Sequence, residues 1–419
     1  MIKLTFGRAI LSLEQVNWSA WIATLLLTSI IWAQPLSGGP RVPSVILMLI
    51  GVFLIIKGRF SLKDLRWQRF LLILALFWLP ALISLPGSFA PEKTIQLLVL
   101  LPLYLLFAAT AFYLLDSYVK MRMVMFVFFL VSIAGIGDGL FQLAYGHDIF
   151  GLSSRYGSRI TGPFHHLRLS LFIAILLPVI FSYLQRYGWL WQLLYFFAAL
   201  TIAMLSGVRT DMLTVLLATG LYLVGHKKGI LILAIIPLVI AAGLFAGSYS
   251  SIAKSKLSTF SSWPTTYAQW NKLSSYRLDI WSTAWNMLRA NPINGVGAKS
   301  FAYGYNEYKN DGNIFDEDGN RASHAHHPII SIAAETGGIG LVGFLLTCLL
   351  VYCWGRESGS RRLLANPWLQ ILILIVFPIQ SMPILFTLWW FPVVALVLIM
   401  YLNDIEPIAN NRLANPEIQ

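Results

Sequence analysis

The sequence predicts an all-α, polytopic membrane protein with about twelve transmembrane helices and one large polar loop. Three observations predict it. The chain is 57% hydrophobic and 11% charged, where a soluble domain carries about 25% charged residues, and its mean hydropathy is +0.70. Apolar runs of the length a bilayer requires, about 17 to 25 residues, recur along it. Between them lysine and arginine gather in alternate connections, the pattern of membrane topology. The net charge of +12 therefore speaks for orientation in a membrane. It speaks against nucleic acid as a partner, which calls for a basic patch on a polar domain.

In chain order the spans centre near Leu26, Gly51, Phe77, Leu105, Ser132, Ile175, Phe197, Ala218, Pro237, Gly340, Leu374 and Val393. Lys3 and Arg8 precede the first apolar run, but no small-residue cleavage pattern follows it, so it reads as an uncleaved span. Pro378, Pro383 and Pro392 interrupt the last pair, a break that membrane helices tolerate where neighbours satisfy the backbone. The chain thus divides into a bundle of nine helices (1–249), a large loop with amphipathic helices (250–327), three further spans (328–403) and a tail (404–419). Lys57, Arg59, Lys63, Arg66, Arg69, Lys120, Arg122, Arg186, Lys227, Lys228, Arg356, Arg361 and Arg362 all fall on one side. Taking that side as cytoplasmic puts both termini inside and residues 250–327 outside. Cys348 and Cys353, five residues apart on one helix, offer neither a disulfide framework nor a zinc site.

Several cations break the charge rule by landing outside: Arg155, Arg159, Arg168, Arg209 and Arg277. Arg209 lies in Leu205-Ser206-Gly207-Val208-Arg209-Thr210-Asp211, a turn so short that its guanidinium sits at the membrane interface. An arginine there is a functional candidate, or a structural partner of Asp211 or Asp138. Arg277 opens a stretch in which Leu278, Trp281, Trp285 and Leu288 recur at helical spacing. Tryptophans at the interface would hold Arg277 at phosphate height, where its planar fork suits phosphate oxygens; the alternative is an ion pair with Asp279. Asn291-Pro292-Ile293-Asn294-Gly295-Val296-Gly297 is a helix breaker, and Lys299 after it lacks the pattern of a phosphate loop. The acidic run Asp311, Asp316, Glu317, Asp318 reads as a solvated loop more readily than as a metal site.

His324, His326 and His327 stand just before Pro328, a residue suited to the first turn of a helix. They lack the spacing of zinc ligands. A single histidine as general base fits better, the alternative being surface histidines at a helix start. Glu335 lies nine residues past His326, about half a turn out of phase and about 13 Å along a helix, which argues against direct contact. Arginines at headgroup height beside a base fit group transfer from a phosphorylated lipid, where fixed guanidiniums stabilise the departing diphosphate.

Four stretches resemble the O-antigen ligase and polymerase superfamily. They are Arg159-Ile160-Thr161-Gly162-Pro163-Phe164, Leu205 to Arg209, Tyr276-Arg277 with Trp285 and the 291–301 run, and His324-Ala325-His326-His327 leading into Ala334-Glu335-Thr336-Gly337-Gly338. The resemblance covers mainly residues 155–345. It implies a GT-C-type glycosyltransferase of the bacterial inner membrane that needs no metal or other cofactor, with its active site facing the periplasm in the large periplasmic loop and bundle. An undecaprenyl-diphosphate-linked glycan would be donor and lipid A-core the acceptor, with membrane lipids around them. His326 matches the family's base, and Arg209, Arg277 and Arg159 its diphosphate clamp; His324, His327, Arg155 and Glu335 are secondary candidates. Members commonly carry His-Asn where this chain has His326-His327. Within the superfamily the ligase is favoured, ahead of a polymerase or a protein O-oligosaccharyltransferase. An organic-anion transporter is the reading from another class; it fits less well because no internal repeat is evident and the charges lie at the membrane edge.

Overall fold

The computed structural model describes residues 18–36, 39–115, 118–164, 166–229, 264–313, 321–359, 363–378, 387 and 389–406. Among these lie fourteen α-helices: α1 (Trp18–Trp32), α2 (Arg41–Ile56), α3 (Leu65–Ile83), α4 (Pro91–Leu114), α5 (Tyr118–Tyr145), α6 (Leu169–Leu184), α7 (Trp189–Ser206), α8 (Arg209–Gly225), α9 (Tyr267–Leu273), α10 (Arg277–Ala290), α11 (Phe301–Tyr308), α12 (Pro328–Glu357), α13 (Pro367–Val376) and α14 (Phe391–Ile405). No β-strand occurs among the described residues. The protein is an all-helical, multi-pass membrane protein.

Every expected span centre falls on one of these helices except Pro237, which lies outside the described residues. The lengths differ from expectation, however. Six described helices are long and apolar enough to cross a membrane, while α1, α2, α13 and α14 are shorter apolar helices. For α13 the reason is local: Phe377 is extended (φ −63°, ψ 137°), as a residue before proline tends to be, and the helix stops ahead of Pro378.

Two helices form the centre. α6 is buried on nearly every side, from Leu169 to Leu184 with only Ser182 less enclosed, and α14 is buried from Phe391 to Asn403. A helix apolar all round belongs inside its neighbours. α5, α7, α8 and α13 pack on α6, and α3 and α4 on α14. The outer helices expose large apolar side chains such as Leu49, Val99 and Leu345, a surface suited to lipid. Gly51 lets α2 approach the Leu106 carbonyl, since a Cβ there would stand 2.0 Å from that oxygen; small residues permit such contacts between membrane helices. At the Arg66 end, α3 and α14 are joined by charge. Arg66 pairs with Asp64 at 2.6 Å and bonds Asn403, while Arg69 holds both Glu357 and Glu406.

α12 is not one continuous helix. Gly337 has φ 63° and ψ −159°, so the chain kinks there and the helical hydrogen bonds are broken. The freed backbone groups need partners inside protein, and the 291–297 run supplies them. Val296 N–H donates to Ala334 O (2.9 Å) and Gly297 N–H to Glu335 O (3.0 Å), while Gly338 N–H donates to Pro292 O (2.8 Å). The sequence marks this run as a helix breaker; it is also a strap across a second helix. Ser88, between α3 and α4, bonds Ser300 at 2.8 Å and extends the attachment to the bundle. On the strap side Ile280, Met287, Val296, Phe301 and Tyr305 form a small core of their own.

α10 is an amphipathic helix with one buried face. Asp279, Ile280, Thr283, Ala284 and Met287 are buried, whereas Trp285 is 58% exposed. Ile280, Ala284 and Met287 pack in one cluster with Ala334 of α12, and Trp281 reaches Ala325 O while Trp285 stays exposed.

Gly337→Ala would place a Cβ 2.3 Å from Ile293 O at a positive φ. The expected loss is about 2–4 kcal/mol, read as a lowered melting temperature in detergent. Gly338→Ala, whose Cβ would meet Pro292 O at 3.2 Å without a positive φ, is expected to be milder.

Candidate active site

The short turn that marks Arg209 forms because α7 ends at Ser206 and Gly207 closes it in the left-handed region (φ 66°). Arg209 then becomes the first residue of α8. Its Nη1 donates to Leu273 O at the end of α9 (3.0 Å), so it ties the polar loop to the bundle. Arg159 Nε donates to Ser206 O (2.6 Å).

Asp211 collects the cations. It is buried in the first turn of α8, where the helix dipole favours an acid, and accepts hydrogen bonds from the Ser170 and Thr210 hydroxyls. Its charge acts on Arg159 and Arg277. In both arginines burial lowers the pKa and Asp211 opposes that shift. The carboxylate that the sequence offers as a partner for Arg209 thus stands between two other arginines. Arg277 begins α10 after Ser275 (φ 59°) and Tyr276 (φ 63°), two consecutive non-glycine residues in the left-handed region.

The three histidines separate. His327 is the N-cap of α12: its Nδ1 accepts from Ile330 N–H (3.3 Å), which places the proton of the neutral ring on Nε2. Its ring stands edge-on to Trp281, with centroids 5.6 Å apart, and Trp281 Nε1 donates to Ala325 O (3.0 Å). Burial, then the charge of Arg277, lowers the His327 pKa from its ordinary value. His326 has φ 50°, and this left-handed residue sends its ring elsewhere, to pack on His324 with centroids 4.0 Å apart.

His326 and His324 line a cavity of about 680 Å³ together with Glu335, Lys299, Lys93 and Arg168. Glu335 therefore shares a cavity with His326, although helical spacing from His326 argues against direct contact. The nine-residue separation is not one regular helix, because His326 is left-handed and α12 begins only at Pro328. Glu335 is buried and accepts from Phe301 N–H (3.2 Å), beyond the strap. Arg168 lies 3.9 Å over the Trp389 ring. Burial and the nearby Lys93 and Arg41 charges lower the Lys299 pKa, against the pull of Glu335.

Arg159, Arg209 and Arg277 do not line this cavity. Arg159 and Arg277 adjoin it: Tyr156 lines it and acts on both Arg159 and Arg168, and Arg277 acts on His327, the neighbour of His326. Arg155 is exposed and lines neither part. Lys93 and Lys299 are the residues that sequence reasoning passes over. Backbone geometry is the signal that marks the region: of five non-glycine residues with positive φ among the described residues, Ser275, Tyr276, Lys299 and His326 lie here. No group of three or more His, Cys, Asp or Glu converges on a metal position among the described residues; Asp316, Glu317 and Asp318 lie outside them.

Residues 194–345, from α7 to the middle of α12, match the family model described as O-antigen ligase. Over these residues the chain is similar to the O-antigen ligase family. The matched segment contains Arg209, Arg277, the three histidines and Glu335, with Arg159 before it. The chain matches no curated protein.

The cap explains how asparagine can stand where His327 does, since asparagine is among the best N-caps. His327→Asn is expected to keep stability, whereas His327→Ala loses about 1 kcal/mol. The lowered pKa means that the unfolded chain binds the proton more tightly, so this residue's contribution to stability falls as pH drops below about 6.5. Melting curves between pH 5 and 8 check this: His327→Asn should lose less stability on the acid side than the parent protein.

Proposed function

We propose that the protein is an O-antigen ligase, a glycosyltransferase that moves an undecaprenyl-diphosphate-linked glycan onto a sugar hydroxyl of lipid A-core. In this reading it acts in the bacterial inner membrane, with both termini cytoplasmic and the site facing the periplasm. The observation that carries the reading is an arginine pair gathered by Asp211 close to a histidine-lined cavity, with Asp211, Arg277 and the histidines all in the matched segment.

Arg159, Arg209 and Arg277 hold the donor diphosphate, each guanidinium offering several donors to phosphate oxygens. The acceptor hydroxyl enters the cavity, and His326 takes its proton as the oxygen attacks the anomeric carbon. The new glycosidic bond forms as the bond from that carbon to the diphosphate oxygen breaks, and the arginines stabilise the charge that leaves. The choice of His326 over His327 is supported by their surroundings. One ring lines the cavity, and the other has its Nδ1 engaged by the helix and a neighbouring cation that disfavours protonation. No step in this scheme calls on a metal ion.

In a purified transfer assay His326→Ala should lower turnover by about 10²–10⁴-fold with an unchanged melting curve. Full activity would remove the base. Arg277→Lys should raise the donor KM by about tenfold or more, since a point charge replaces the fork. Chelation by EDTA should leave the rate unchanged, and a rate restored by Mg²⁺ or Mn²⁺ would bring the acidic loop back as a metal site. Glycan profiling of a deletion strain decides the acceptor: bare lipid A-core with long donor chains supports the ligase, and single-repeat capping instead supports a polymerase.

A further inference from the structure

α8 and α12 each begin at the candidate active site, at Arg209 and after His327, and each ends at a second cavity at the other end of the bundle. This cavity, of about 610 Å³, lies among α3, α8, α12, α13 and α14. Phe77, Phe344, Val351, Leu372, Val376 and Leu398 are among its apolar walls. The Thr347 hydroxyl, also in the wall, is turned back to its own helix, donating to Gly343 O at 2.9 Å. The cations of the lining are Lys227, two residues past the end of α8, and Arg356, in the last turn of α12.

These two cations are placed and unneutralised. Lys227 is held in the left-handed region (φ 59°), the one such non-glycine residue away from the active site among the described residues. Of the carboxylates at this end, Glu357 and Glu406 are engaged by Arg69 and Asp64 by Arg66, and Asp404 accepts from Asn366. Neither Lys227 nor Arg356 has a carboxylate partner among the described residues. An apolar slot between membrane helices with two cations at its mouth is complementary to a hydrocarbon chain bearing an anionic headgroup.

We propose that this cavity binds one anionic phospholipid, with an acyl chain between α3, α12 and α13 and the phosphate at Lys227 and Arg356. The site is separate from the donor diphosphate site, which lies at the opposite ends of the same two helices. The proposal rests on the protein being a membrane protein, and not on the identity of the glycan it transfers.

Native mass spectrometry of the purified full chain tests it, with dioleoylphosphatidylglycerol or dioleoylphosphatidylcholine added in equal amounts. One phosphatidylglycerol per chain should be retained, about tenfold or more over phosphatidylcholine, and Lys227→Gln with Arg356→Gln should bring that ratio near one. Thr347→Trp, which fills the slot, should remove the bound lipid. As a check that needs no substitution, phosphatidylglycerol should slow maleimide labelling of Cys348, which lines the cavity, and leave Cys353 unaffected. Equal retention of the two lipids, a ratio unchanged in the double variant, or equal Cys348 labelling with either lipid would overturn the site. Glycan transfer measured on the same double variant keeps the two readings apart, because loss of lipid preference with transfer intact leaves the ligase proposal standing.

Discussion

The backbone of α12 at Gly337 is the point on which the rest of the structure depends. A membrane helix that breaks must have its freed N–H and C=O groups satisfied by protein, and here the partner is the main chain of residues 292–297. One set of bonds does three things. It permits the kink, it fixes the polar segment on the bundle, and it sets Glu335 against the N–H of Phe301. With the strap in place, α10 lies along α12 and Arg277 is brought near Asp211 and His327. Without it the loop would hold its arginine at no fixed distance from the histidines.

Electrostatics then divides the bundle into unlike ends. At the cytoplasm-assigned end Arg66 and Arg69 are locked into carboxylates and laid over aromatic rings, Arg66 over Phe112 and Arg69 over Trp354, while Lys227 and Arg356 have no carboxylate partner among the described residues. At the other end Asp211 acts on Arg159 and Arg277, and among the described residues Glu335 is the carboxylate that lines the histidine cavity. A dianionic group entering there meets guanidiniums whose desolvation has already been met by the fold.

Much of this was legible in the residues. Apolar run length located the helices, and the brevity of Ser206-Gly207-Val208 located Arg209 at a helix start, because only a glycine-closed turn fits between two spans. Pro328 marked the start of α12. The rest depended on contacts between distant segments. Spacing alone marks α10 as amphipathic, but which residues meet α12 is decided by the cluster of Ile280, Ala284 and Met287 with Ala334. Spacing argues against direct contact between Glu335 and His326, but it cannot show that both line one cavity, since a helical count does not register the left-handed residue at 326. Lys93 and Lys299 join the cavity only because Ser88 and Ser300 bring their segments together.

Consecutive histidines look like a duplicated function, a spare beside the working copy. The left-handed turn at His326 rules that out for this pair. It sends neighbouring rings in different directions, one to the cavity and one to the first turn of α12, so each residue is committed before any substrate arrives. The two rings therefore meet different surroundings, and in the proposed mechanism the second needs only to cap a helix while the first supplies the base.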